Sequence, residues 1–134
     1  MENSLSTFVG NDEAGIYTSL PTETAEDKMR LFQVSTTSER LGNHIGETIS
    51  VTDVYMETVD VVNRETGELE KAARIIFITE DGDSYACVSL GVLSCVKRIF
   101  AFIGPAPWNP PLKVKITQRN VGDKKRVLHL EPVI

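Results

Sequence analysis

Two hydrophobic periods organise the chain, and the change from one to the other marks its elements. ETISVTDVYMETVDVV (47–62) is rich in Val, Ile, Thr and Tyr, with an alternation that breaks near Thr52–Asp53. That pattern predicts one long strand bent through a bulge. NRETGELEK (63–71) is a polar loop around Gly67. AARIIFIT (72–79) and SYACVSL (84–90) flank EDGD, a tight turn of the Asp-Gly kind, and read as a hairpin. The period then lengthens. Val92, Val96, Ile99, Phe100 and Ile103 recur at helical spacing, with Lys97 and Arg98 on the other face and Gly104–Pro105 as a stop. After the connector PAPWNPP (105–111), LKVKITQ (112–118) and RVLHLEPVI (126–134) alternate as two strands joined by a loop around residues 120–125.

The first third of the chain is less regular. Residues 1–27 mix Gly, Ser, Thr, Asn and six acidic side chains with few apolar anchors, which predicts a flexible acidic arm pinned at most by Phe8, Ile16 and Tyr17. KMRLFQVS (28–35) has a strand-like core, and TTSERLGNHIG (36–46) reads as a capped turn of helix ending at Gly42. Residues 28–134 then form one domain. Its order of three strands, a helix and two more strands predicts an all-β fold with one helix: the five-stranded OB-fold barrel, with the helix between strands 3 and 4 and an N-terminal arm. Another small β-barrel or an α+β sheet could use the same elements.

Composition removes several function classes. No apolar run approaches the roughly 20 residues of a membrane span. MENSLSTFVGNDEAG lacks a signal peptide's basic and apolar regions, so a cytoplasmic protein is expected. Cys87 and Cys95, separated by seven residues without a CxxC or a His cluster, read as buried free thiols rather than a disulfide or zinc site. There is no phosphate-binding Gly loop, nucleophile elbow or paired His motif, so neither catalysis nor a cofactor is expected. Asp81 and Asp83 serve the turn at Gly82 rather than a calcium loop.

Charge changes the picture most. The chain carries −5 overall, but residues 1–70 carry −10 and residues 71–134 carry +5. Six of the 14 Lys and Arg residues lie between 113 and 126, against the single acid Asp123. In LKVKIT, Leu112, Val114 and Ile116 point inward, which sends Lys113 and Lys115 outward. Arg119, Lys124, Lys125 and Arg126 gather at the hairpin tip. A solvated, Lys-guarded edge would look similar, but such surfaces usually intersperse both signs.

In an OB barrel, oligonucleotides lie across strands 2 and 3. A turn centred on Asp81–Gly82 would set Ile78 opposite Tyr85, Ile76 opposite Cys87 and Arg74 opposite Ser89. Phe77 with Ala86 and Ile75 with Val88 would then face the interior. That register exposes Arg74 and Tyr85 on the binding face, and a one-residue bulge would invert it. Tyr55 stands beside this face as a stacking candidate. Phe32, Phe100 and Phe102 are expected in the core, and Trp108, between prolines, as a plug for the barrel end.

NHIGETISVTDVY (43–55), IIFITEDGDSYACVSLGVLSCVKRIF (75–100) and PPLKVKITQRNVGDKKRVLHLE (110–131) together resemble the single-stranded DNA-binding proteins encoded by phages and mobile elements of Gram-positive bacteria. The resemblance spans roughly residues 28–134. It implies an OB-fold that coats single-stranded DNA without sequence preference during replication or recombination, in company with replication proteins, as a monomer or a small homo-oligomer. The expected contacts are Arg74, Tyr85, Tyr55, Lys113, Lys115, Arg119, Lys124, Lys125 and Arg126. Two rivals use the same residues: RNA binding, and a protein-interaction OB module whose basic hairpin meets an acidic partner such as the arm of a second copy.

Overall fold

The computed structural model of the chain describes residues 15–121 and 125–133, apart from the side chains of residues 121 and 125. One mixed, curled sheet dominates it. The strands are β1 (Ile16–Thr18), β2 (Glu39–Arg40), β3 (Thr48–Val62), β4 (Leu69–Thr79), β5 (Ser84–Val88), β6 (Leu112–Val121) and β7 (Lys125–Pro132). They lie in the order β2-β5-β4-β3-β6-β7, with β1 added along β3. Among the described residues two helices pack with it, α1 (Ala25–Thr37) and α2 (Leu90–Phe102), and a 3-10 turn spans Leu41–His44. From β3 onward the order of strands and helix is the one that the hydrophobic periods predict.

The bulge in β3 explains how one strand serves three partners. Its register against β4 shifts between Val51 and Asp53. Before the bulge, Thr48–Val51 pairs with β6; beyond it, Tyr55–Glu57 pairs with β1. Because the extra residue restores the parity of the pleat, Ile49, Val51, Val54 and Met56 all reach the same core. Phe77, Ile75, Leu41, Val92, Val96, Ile116 and Trp108 fill the rest of it. Trp108 plugs the end of the sheet as expected: its backbone N–H donates to Thr52 O at 2.8 Å, its indole Nε1 donates to Gly104 O at 3.1 Å, and Phe100 meets it edge-on at 5.9 Å.

α2 starts at Ser89, whose hydroxyl accepts from Val92 N. Two residues on, Gly91 lies so close to β7 that a Cβ there would stand 2.4 Å from Leu128 O. Absence of a side chain at 91 therefore sets how closely α2 seats on β7.

Three expectations are corrected. Residues 28–35 belong to α1 rather than to a strand, because Thr24 and Asp27 close a capping box: Thr24 Oγ1 accepts from Asp27 N at 3.0 Å and Asp27 Oδ2 accepts from Thr24 N at 3.1 Å. Leu31 and Val34 then face the sheet. Residues 36–46 divide between the end of α1, β2 and the 3-10 turn. Phe32 and Phe102 are exposed, not core. At 100° per residue, Phe32 lies about 200° from Val34 and Phe102 about 240° from Val96, off the buried stripe of each helix. Of residues 1–27, assigned to an acidic arm, β1 pairs with β3 and residues 25–27 form the start of α1; Phe8 lies outside the described residues.

Candidate nucleic-acid interface

The β6–β7 hairpin carries the cations. Val114 and Ile116 are buried, and Lys113 and Lys115, each just before one of them, are exposed. Pairing of Lys115 with Glu131, Thr117 with His129 and Arg119 with Val127 puts these residues on the outer face. There Arg119 Nη1 donates to His129 Nε2 at 3.4 Å. Arg126 pairs with Asn120 and shares the other face with Leu128 and Leu130, on the core side but beyond the core, where it is exposed. The cations thus divide between two faces of one ribbon. Among the described residues, Lys113, Lys115, Arg119 and Arg126 make no ion pair with a carboxylate. Lys124 lies outside the described residues, as does the side chain of Lys125, whose backbone pairs with Val121.

The β4–β5 face differs from its expected form by one residue. Ile78 pairs with Ser84, Phe77 with Tyr85, Ile76 with Ala86, Ile75 with Cys87 and Arg74 with Val88. The turn is a three-residue loop, Glu80–Asp81–Gly82. Gly82 N donates to Thr79 O, Thr79 N donates to Asp83 O, and Gly82 takes φ 89°. This is a type I turn closed by a left-handed residue, where glycine avoids the Cβ clash. The extra residue flips β5: Tyr85 and Cys87 face the core, and Ala86 and Val88 the outside. Tyr85 is 9% exposed.

The outer face of β3, β4 and β5 is not open. Val34 of α1 packs on Tyr55, Ile76 and Ile78, with Leu20, Leu31 and Ala86 around them. Beneath the helix Tyr55 Oη donates to Glu57 Oε1 at 2.8 Å, and Arg74 Nη1 donates to Ser35 O at 2.8 Å and to Glu57 Oε2 at 3.4 Å. Burial, then the Glu57 hydrogen bond, push the Tyr55 hydroxyl up to about 12, so it remains a neutral donor. Arg74 and Tyr55 together tether the last turns of α1 to the sheet.

A cluster that sequence reading left unassigned stands at the 3-10 turn. His44 Nδ1 lies 2.9 Å from Glu47 Oε2, its Nε2 3.1 Å from Glu39 Oε1, and its ring meets Tyr85 edge-on at 4.8 Å. Carboxylates only accept, so both ring nitrogens must donate, which requires the imidazolium. Partial desolvation opposes that charge, but Glu47 and Glu39 outweigh it and the His44 pKa rises. Cys87 and Cys95 are free thiols, half-buried rather than fully buried; desolvation pushes the Cys87 pKa up to about 12, which keeps it protonated and unreactive near neutral pH.

A curled β-sheet with an exposed, unneutralised cationic ribbon is a scaffold for a polyanionic ligand. The family comparison names that ligand. Residues 11–131 match the family model described as phage single-stranded DNA-binding protein, and the chain belongs to that family. It binds single-stranded DNA in phage-type replication. No curated protein and no solved structure gave a significant match. No helix among the described residues is long and apolar enough to cross a membrane.

Proposed function

We propose that this protein is a sequence-independent coat for single-stranded DNA, built on an OB-type barrel, that acts without catalysis in the cytoplasm of the phage's host. The barrel reading is supported by the order β3-β4-β5-α2-β6-β7 and by a bulged β3 shared between β4 and β6. Its DNA-binding unit is residues 28–134, with residues 15–19 strapped along β3.

One observation carries the site: the cations of the β6–β7 ribbon stand exposed and unpaired by carboxylates among the described residues. Lys113, Lys115, Arg119 and Arg126, with Lys124 and Lys125 next to Arg126 in the sequence, hold phosphates. Tyr55 and Tyr85 act at one remove, by fixing α1 and the 3-10 turn on either side of β5. Backbone charge contacts of this kind carry no sequence information, which suits a coating protein. Association with replication proteins would use other surfaces.

Fluorescence anisotropy with labelled oligo-dT across a salt series tests this. Replacing Lys113, Lys115 and Arg119 with Ala should weaken binding and make the slope of log K on log salt shallower by about 2, at about 0.7 per phosphate contact on a single strand. An unchanged slope would return these residues to a merely solvated edge. Tighter binding of a matched RNA would favour the RNA reading instead.

A further inference from the structure

Between the free end of β5 and the outer strand β7 the curled sheet stays open, and a cleft of about 520 Å³ lies in that gap. β2, its neighbour Ser38 and the 3-10 turn contribute Ser38, Arg40 and Asn43 to the lining, and Arg74, Val88 and Leu128 are among the residues that line it from β4, β5 and β7. Its size falls within the roughly 300–1,000 Å³ of small-ligand sites. Its lining is not that of a packing defect. Two guanidinium-bearing side chains and a side-chain amide border an apolar floor of Val88 and Leu128, and no carboxylate lines it.

We propose that this cleft is a nucleotide subsite, in which one unit of the bound single strand places its phosphate at Arg40 and Arg74 and its base against Val88 and Leu128. The inference rests on the DNA-binding reading and adds to it residues that neither composition nor hairpin charge singles out. Arg74 is held in place by Ser35 O and Glu57, so it needs little reordering to meet an anion. Arg40 is exposed and makes no ion pair among the described residues. Asn43 is exposed at the rim, where its amide can both donate to and accept from a base edge.

The hairpin register connects the cleft to the rest of the interface. Arg126 and Leu128 lie two positions apart on the same face of β7, about 7 Å along the strand. Arg126 therefore continues the cleft toward the tip, whereas Lys113, Lys115 and Arg119 belong to the opposite face. A strand that enters the cleft and passes Arg126 would cross the hairpin tip and reach the lysine face. One continuous path then uses both sets of cations.

The test compares Arg40→Ala, Arg40→Lys and Val88→Trp with the wild-type protein by anisotropy with oligo-dT, alongside thermal melting. The Arg40 side chain makes no hydrogen bond or ion pair among the described residues and Val88 is 49% exposed, so all three should melt close to wild type. Arg40→Ala should weaken binding about fivefold or more at low salt. It should also make the salt slope shallower by about 0.7. Arg40→Lys should restore the slope, and Val88→Trp, which fills the cleft without changing charge, should weaken binding at an unchanged slope. Wild-type affinity in both Arg40→Ala and Val88→Trp would overturn the subsite while leaving the lysine face as the interface. Failure of the wild-type protein itself to bind oligo-dT would overturn the DNA-binding reading first, before any variant is compared.

Discussion

At the scale of single residues, His44 has the most specific environment in the described chain. Two carboxylates hold its ring nitrogens, and Tyr85 packs against its ring. Its pKa is raised in the folded state, so the stabilisation it gives is fully present below the unfolded value of about 6.5 and disappears as pH rises through the folded value. The melting-temperature difference between wild type and His44→Gln should therefore be largest near pH 5.5 and smallest near pH 8.5. Equal differences at the two pH values would show that the imidazolium is not what the two carboxylates hold. The cluster was hard to read in the sequence because its members are separated by loop geometry: Glu39, His44 and Glu47 meet only because a 3-10 turn folds between them. The free thiol of Cys87 was legible, since an isolated Cys within an apolar strand has few other roles.

At the scale of elements, the close contacts between α2 and β7 and around the β4–β5 turn decide what faces where. Gly91 is the sharpest case. Helix propensity alone says that Ala in place of a helical Gly should stabilise by up to about 1 kcal/mol. The 2.4 Å approach of its would-be Cβ to the Leu128 carbonyl says the reverse. Gly91→Ala should cost about 1–3 kcal/mol in urea denaturation, as overpacked sites do; a stabilised variant would mean that α2 does not sit on β7 as described. The β4–β5 hairpin shows the limit of pattern reading. Both strands were legible from their composition, but their mutual register depended on whether the turn held two residues or three. One residue moved Tyr85 from the expected binding face into the core, because the pleat repeats every second position. α1 was missed for a related reason. The Thr24–Asp27 box was present in the sequence, but the short apolar run after it fits a strand as well as a helix.

At the scale of the whole molecule, the question is how an unclosed sheet stays folded. Leu41, fully buried on the 3-10 turn, sits in the main core between the two ends of the sheet, and Gly46 N donates to Ile116 O beside it. Leu41→Ala should lower unfolding free energy by about 2–5 kcal/mol. A loss below about 1 kcal/mol would show that the turn is an ornament on an otherwise self-sufficient sheet. Charge is also arranged at this scale. An acidic first half and a basic second half sum to −5, yet the field a ligand meets is local, because screening cuts it off within about 10 Å.

The sequence by itself determined the strands from residue 47 onward, the bulge in β3, the helix before the Pro-rich connector, Trp108 as a plug and the basic β6–β7 ribbon. Each follows from short-range periodicity, turn chemistry or charge, which need no distant partner. Only the tertiary structure decided that α1 covers the outer face of the sheet, that the ribbon divides its cations between two faces, and that Arg40 meets Arg74 and Leu128 across a cleft. Those outcomes depend on register and on contacts between residues far apart in the chain. A single inserted residue reverses a face, and no local pattern records which distant segment will cover it.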